Sequence, residues 1–325
     1  MRRTVASLTV SVAITAGALA WLVHRGVFEA AGPALASADR VRLAGAFALV
    51  AVILGLRAWR FGLLLDGRPR LPGVKLIRVT AQLSALNFLL PFRLGELSFP
   101  VLARRSLGAD LVDGAGVLLT ARVLDLCVIA AILAVTGALL LPATGVPAQG
   151  ALLWLGGGLA LAAPFALVAL GRRLAPVLGR LPRLGGLVLR LARGIGRLDG
   201  IGDRLLAVVL SWAIWLAFAL LAWLAASAVV PATEPIWAMM AAAAGNLAFA
   251  LPLNGVAGLG PAQAAWVAVM AIAGMPLATA ALGALAVHAV ALTGALALGA
   301  LATVTGGRRD GPTAQDAGRP SISQP

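Results

Sequence analysis

The chain has no tyrosine, one cysteine and two histidines among its 325 residues. A lone Cys127 forms no intrachain disulfide and says nothing of redox compartment. His24 and His288 are too few for a histidine-based metal site. There is no P-loop, no His-Glu-x-x-His, no paired-cysteine motif and no Gly-x-Ser-x-Gly elbow, so nothing supports ATP hydrolysis, a metal centre or a serine nucleophile. No cofactor, no metal and no enzymatic activity are expected. Charge is the scarcest property: 12% of residues are charged, against roughly a quarter in soluble domains.

With 61% hydrophobic residues and a mean hydropathy of +0.98, the composition is that of an all-α polytopic membrane protein. The net charge of +14 is carried almost wholly by arginine, Lys75 being the one lysine. That balance does not indicate nucleic acid, which needs a soluble basic face. In a membrane protein it indicates cytoplasmic loops and anionic lipid headgroups. The abundance of Ala, Gly and Arg suits a GC-rich bacterial genome and thus the bacterial inner membrane.

Apolar runs of about 20 residues, enough to span a bilayer, lie at 5–23, 41–65, 113–141, 151–170, 205–230 and 277–304. The run at 5–23 reads as a retained first helix rather than a cleaved signal peptide. Regions 75–103 and 236–273 are apolar but interrupted, and read as re-entrant hairpins. The prediction is therefore about six full transmembrane helices plus two hairpins. Residues 1–304 form one transmembrane domain with halves 1–141 and 151–304, followed by a disordered tail at 305–325. The positive-inside rule puts both termini in the cytoplasm, with 24–40 an outer loop and 172–204 an inner one. Each half then reads span, span, hairpin, span, with the second copy upside down: an inverted-topology repeat.

The two interruptions are Asn87-Phe-Leu-Leu-Pro-Phe-Arg-Leu-Gly-Glu96 and Asn246-Leu-Ala-Phe-Ala-Leu-Pro-Leu-Asn-Gly-Val-Ala-Gly-Leu-Gly-Pro-Ala-Gln263. Irregular backbone at membrane depth survives only where it is buried in protein or lines a watery cavity. Arg93 and Glu96, three residues apart, either form a structural salt bridge or present a fork for a phosphate. Arg122 and Asp125 repeat that spacing inside a continuous apolar helix, as a self-satisfied pair or as part of the same site. In the second interruption Asn254, Gly255, Gly258, Gly260 and Gln263 either expose backbone N–H groups to a headgroup or simply let helices pack closely. His288 is an interhelical hydrogen bond or a relay. Arg57 and Arg60, near a helix end, are expected to snorkel. The arginines of 172–204 form a basic amphipathic face that either sets topology or docks on a leaflet or partner.

The stretch from Asn87 through Pro91, Arg93, Gly95 and Glu96, continued by Arg122 and Asp125, resembles a Pro-x-Arg-x-Gly-Glu and Arg-x-x-Asp pattern. That pattern belongs to the flippase-like transmembrane region of the lysylphosphatidylglycerol synthases. The run from Pro252 through Gly258 and Gly260 to Gln263 is similar to the family's Pro-x-x-Gly-Gly-x-Gly-x-x-Glu signature, with Gln263 at the acidic position and His288 where an arginine is common. The resemblance covers roughly residues 5–304. It implies a lipid-translocating bundle with two re-entrant segments and no synthase domain. Membrane lipids with an anionic or lipid-linked headgroup (phospholipid, aminoacyl-lipid or polyprenyl lipid) would be its partners, bound by Asn87, Arg93, Glu96, Arg122, Asp125, Asn254, Gly258, Gly260 and Gln263. Two other readings stand beside it. One is a non-transporting membrane partner of a lipid- or glycolipid-modifying enzyme. The other is an intramembrane transferase using Glu96 or Asp125.

Overall fold

The computed structural model describes residues 2–66, 71–144, 200–249 and 255–306, with four isolated positions between 156 and 162. Among these every regular element is helical. The predicted span at 151–170, most of the basic segment 172–204, and the tail beyond Gly306 lie outside the described residues.

Helix α1 (Arg2–His24) turns at Gly26, where φ is 67°, into α2 (Val27–Ala36). The axes of Ser11–His24 and Val27–Ala36 differ by 74°. The predicted outer loop at 24–40 is therefore mostly helix: its apolar residues outnumber Glu29, and one left-handed glycine suffices to redirect the chain. Four helices are long and apolar enough to cross a bilayer: α3 (Arg40–Asp66), α6 (Leu111–Leu140), α7 (Ile201–Val229) and α10 (Leu277–Gly306). The bent α1–α2 pair makes a fifth if taken as one span. This multi-pass membrane protein thus shows four or five of the six predicted spans among its described residues.

Caps set where these helices begin. Asp39 Oδ1 accepts from the Val41 and Arg42 N–H groups at 2.9 and 3.1 Å, and Asp110 Oδ1 accepts from Val112 N–H at 2.7 Å. Each carboxylate satisfies donors the first turn cannot. Arg42 also donates to the Ser227 carbonyl and sits over the Trp223 ring, tying the start of α3 to the end of α7.

Both interrupted regions are helical hairpins. The first is α4 (Val74–Leu89), a 3-10 turn (Pro91–Leu97) and α5 (Ser98–Leu107). The second is α8 (Pro235–Phe249), a break containing the 3-10 turn Val256–Gly258, and α9 (Pro261–Ile272). Helices of ten to sixteen residues are 15–24 Å long at 1.5 Å per residue, short of the ~30 Å hydrocarbon core.

Among the described residues, most contacts of the long helices and hairpins in one half have a matching contact in the other, the exceptions including α4 on Val256–Gly258 and α2 on α10. The most extensive interface among the described residues joins α3 to α7, each the long helix that precedes a hairpin. α4 packs on α10 as α8 packs on α6; α5 packs on α6 as α9 packs on α10. The pairs α3–α6 and α7–α10, α3–α10 and α7–α6, and α3–α4 and α7–α8 complete the pattern. Each hairpin therefore lies between long helices of both halves. Small residues line these seams: Ala58, Ala121, Ala207, Ala222, Ala226, Ala241 and Ala280 are all fully or nearly fully buried. In lipid, where apolar burial offers little gain, such close approach supplies dispersion contacts that hold helices together.

Candidate functional site

The two breaks meet. The first packs against the second at the 3-10 turns, and α4 also packs on Val256–Gly258. Phe88, one residue before the end of α4, lies 6.1 Å (ring centroids) from Phe249, the last residue of α8. His288 of α10 stands edge-on to Phe88 at 5.9 Å. Two glycine positions make the tips possible. At Gly95 a Cβ would fall 2.4 Å from the Leu86 carbonyl, so the first turn closes back onto α4 only without a side chain. At Gly258, φ is 78° and a Cβ would fall 2.9 Å from the Phe249 ring. Beside it Ala257 takes φ 55°, the one non-glycine with positive φ among the described residues. A left-handed alanine costs roughly 1–2 kcal/mol, and such strain collects where function holds it. Thr15 of α1 braces this tip, its Oγ1 accepting from Val256 N–H at 2.7 Å.

A cavity of about 170 Å³ opens beside the tips, room for several waters or a small polar group. Its lining draws on α3, α4, α6, α7, α8, the second break, α9 and α10. Most of it is apolar, with Trp215, Phe218 and Val287 prominent. The polar exceptions are Arg57, Ser84, Asn87, Arg122, Asn246, Gln263, Trp266 and His288. Asn87 Oδ1, Trp266 Nε1 and His288 Nε2 are all buried and have no hydrogen-bond partner among the described residues. Buried polar atoms are nearly always paired, so three orphans around one cavity point to something polar that enters it.

Behind the cavity runs a chain of charges. Arg60 grips Asp125 with both ends of its fork, Nη1 to Oδ1 at 2.6 Å and Nη2 to Oδ2 at 3.2 Å. Ser211 Oγ accepts from Arg60 at 2.9 Å, and Trp215 Nε1 donates to Asp125 at 2.9 Å. Arg122 Nη1 donates to the same Asp125 at 3.2 Å, while its Nε donates to Glu96 at 2.9 Å. Side-chain exposure falls from 25% at Arg122 to 13% at Glu96, 6% at Asp125 and 2% at Arg60. Arg122 is thus the one member of the chain that reaches the cavity. Two carboxylates hold its guanidinium, one at Nε and one at Nη1, which leaves part of its five-donor fork uncommitted to them.

The predicted site residues sort as follows. Asn87, Arg122, Gly258 and Gln263 come together on the cavity wall. Glu96 and Asp125 lie behind Arg122 and orient it rather than lining the wall. Gly260, with φ 123°, forms the N-terminus of α9, and its N–H donates to Gln263 Oε1 at 2.7 Å. Asn254 and the Arg93 side chain lie outside the described residues. Arg122 binds Glu96; the expected Arg93–Glu96 pairing falls on a side chain outside the described residues. Arg60 does not snorkel: it is the most buried charge in the site. The signal was its depth, six residues inside a helix that continues to Asp66, too far for comfortable reach to water. Trp266, which reaches the cavity from α9, carried no sequence signal, since a tryptophan in an apolar helix reads equally as lipid-facing.

No match is found among curated proteins or among solved structures. Residues 8–299 match the family model described as the lysylphosphatidylglycerol synthase TM region. With nine-tenths of its length inside that match, and with the helical bundle to go with it, this lipid-related membrane protein belongs to the lysylphosphatidylglycerol synthase transmembrane-region family.

Proposed function

We propose that the protein moves a lipid between leaflets, taking the polar headgroup into the cavity between the hairpin tips while the acyl chains stay in the bilayer. The observation that carries this reading is the cavity wall itself. It is largely apolar, is reached by the end of α4 and by the second break, and holds Arg122 together with three polar atoms that have no partner among the described residues. A headgroup leaving water loses hydration worth several kcal/mol unless the protein replaces those hydrogen bonds. Arg122, Asn87, Trp266 and His288 offer replacements at depth.

The largely matching packing of the halves supports an inverted-topology repeat, in which the hairpins dip from opposite faces and alternate as gates. Arg2 and Arg3 on one side of the first apolar run, with the basic segment at 172–204, favour cytoplasmic termini in a bacterial inner membrane. A transferase using Glu96 or Asp125 fits less well, because both carboxylates are engaged by arginines and neither lines the wall. The role proposed is therefore transport without catalysis.

Proteoliposomes with fluorescent phospholipid in both leaflets test it. Addition of a membrane-impermeant quencher reports how fast inner-leaflet lipid reaches the surface. The wild-type chain is expected to accelerate that exchange. Arg122→Gln is expected to slow it roughly ten- to a hundredfold, since a hydrogen bond to a charged group contributes about 1.5–3 kcal/mol. Vesicles in which wild type and Arg122→Gln behave alike would defeat the reading.

A further inference from the structure

The cavity's charge has a sign. Its wall holds Arg57 and Arg122 and, among the described residues, no aspartate or glutamate. Among the described acidic residues, Glu96 and Asp125 are the two that enter this cluster, and both already bind arginines. An ammonium group brought here would meet two guanidinium groups and no carboxylate facing the cavity. To pair with Glu96 or Asp125 it would have to displace an arginine from a buried bidentate or charge-assisted contact, which costs several kcal/mol.

We propose that, within the translocation reading above, the cavity selects an anionic phosphodiester headgroup and rejects a cationic, aminoacylated one. The phosphate lies against the fork of Arg122, which matches its oxygens in a way a point charge does not. Trp266 Nε1–H donates to a second oxygen. Asn87, whose amide oxygen has no partner among the described residues, accepts from a headgroup hydroxyl. A phosphodiester, with its single negative charge, suits a wall that holds Arg57 and Arg122 and, among the described residues, no carboxylate.

Native mass spectrometry of the purified protein in detergent tests this separately from transport. The probes are short-chain phosphatidylglycerol, its lysyl ester, and inorganic phosphate as competitor. Phosphatidylglycerol is expected to bind at least tenfold tighter than the lysyl ester, and phosphate to displace it only at much higher concentration. Equal or tighter binding of the lysyl ester would overturn the proposal. Phosphate binding as tightly as the lipid would make the free anion the ligand and overturn the headgroup assignment.

Two charge-adding variants sharpen the result: Asn87→Asp is isosteric, and Gln263→Glu keeps an acceptor for Gly260 N–H. Both put a carboxylate on the wall and are expected to swing the preference at least tenfold toward the lysyl ester. If both bind the two lipids as wild type does, recognition lies elsewhere. Binding is read whether or not lipid crosses the bilayer. Inert proteoliposomes would therefore defeat transport alone, and reversed selectivity would defeat this proposal alone.

Discussion

Asp125→Ala is expected to destabilise the fold by about 3–5 kcal/mol, the usual consequence of leaving a buried charge without its partner. The cause is Arg60, whose side chain is 2% exposed and whose fork is filled by Asp125. With the carboxylate gone, a guanidinium remains in an apolar interior with only Ser211 Oγ to accept from it. Trp215 Nε1 loses its acceptor as well, at about 1 kcal/mol or more, and Arg122 loses one of its two anchors. Tryptophan-fluorescence unfolding in detergent measures the loss. The double variant Arg60→Met, Asp125→Leu should recover most of it, because removing both ions also removes the desolvation penalty. A silent Asp125→Ala would mean that the pair is not buried as described.

Gly95→Ala is expected to be nearly as damaging, by a different route. Its Cβ would lie 2.4 Å from the Leu86 carbonyl carbon and oxygen and 2.5 Å from the Asn87 nitrogen. All three are backbone atoms, so no side-chain rotation relieves the clash. Overpacking typically costs about 1–3 kcal/mol and more where backbone must move. The first tip must open, and Glu96, the next residue, is drawn away from Arg122. Lower folded yield and loss of lipid exchange in the surviving fraction are the expected readouts. Gly55→Ala in the interior of α3 is the control. Nothing lies within 4 Å of its would-be Cβ, and alanine favours a helix interior by about 1 kcal/mol over glycine. A Gly95→Ala protein as stable and active as the Gly55→Ala control would show that the tip is not closed.

Both breaks were legible because their proline, glycine and asparagine contradict the apolar runs around them, and a conflict of that kind is local. The Arg122–Asp125 contact was legible for the same reason, being one helical turn. Arg60 was not, because its partner is 65 residues away and no local spacing shows it. The Glu96–Arg122 contact was not legible either, since 26 residues separate the two and only the fold brings them together. The helix at Val27–Ala36 was missed because 24–40 joins two runs of spanning length and carries mixed charge, which reads as a loop, although Glu29 lies in the first turn of that helix and Pro33 in its last. The cavity could not be foreseen at all. Its wall comes from seven helices and a break, and Trp266, Phe218 and Val287 are ordinary apolar residues until their neighbours are known.

The central claim is that a lipid headgroup enters between the hairpin tips, and photo-crosslinking with a phospholipid bearing a diazirine on its headgroup tests it most directly. In proteoliposomes illuminated under exchange conditions, peptide mapping is expected to find adducts on cavity residues such as Asn87, Trp266 and His288, and to lose them in Arg122→Gln. Adducts confined to outward-facing positions such as Leu220 and Leu301, 45% and 60% exposed, would contradict the account.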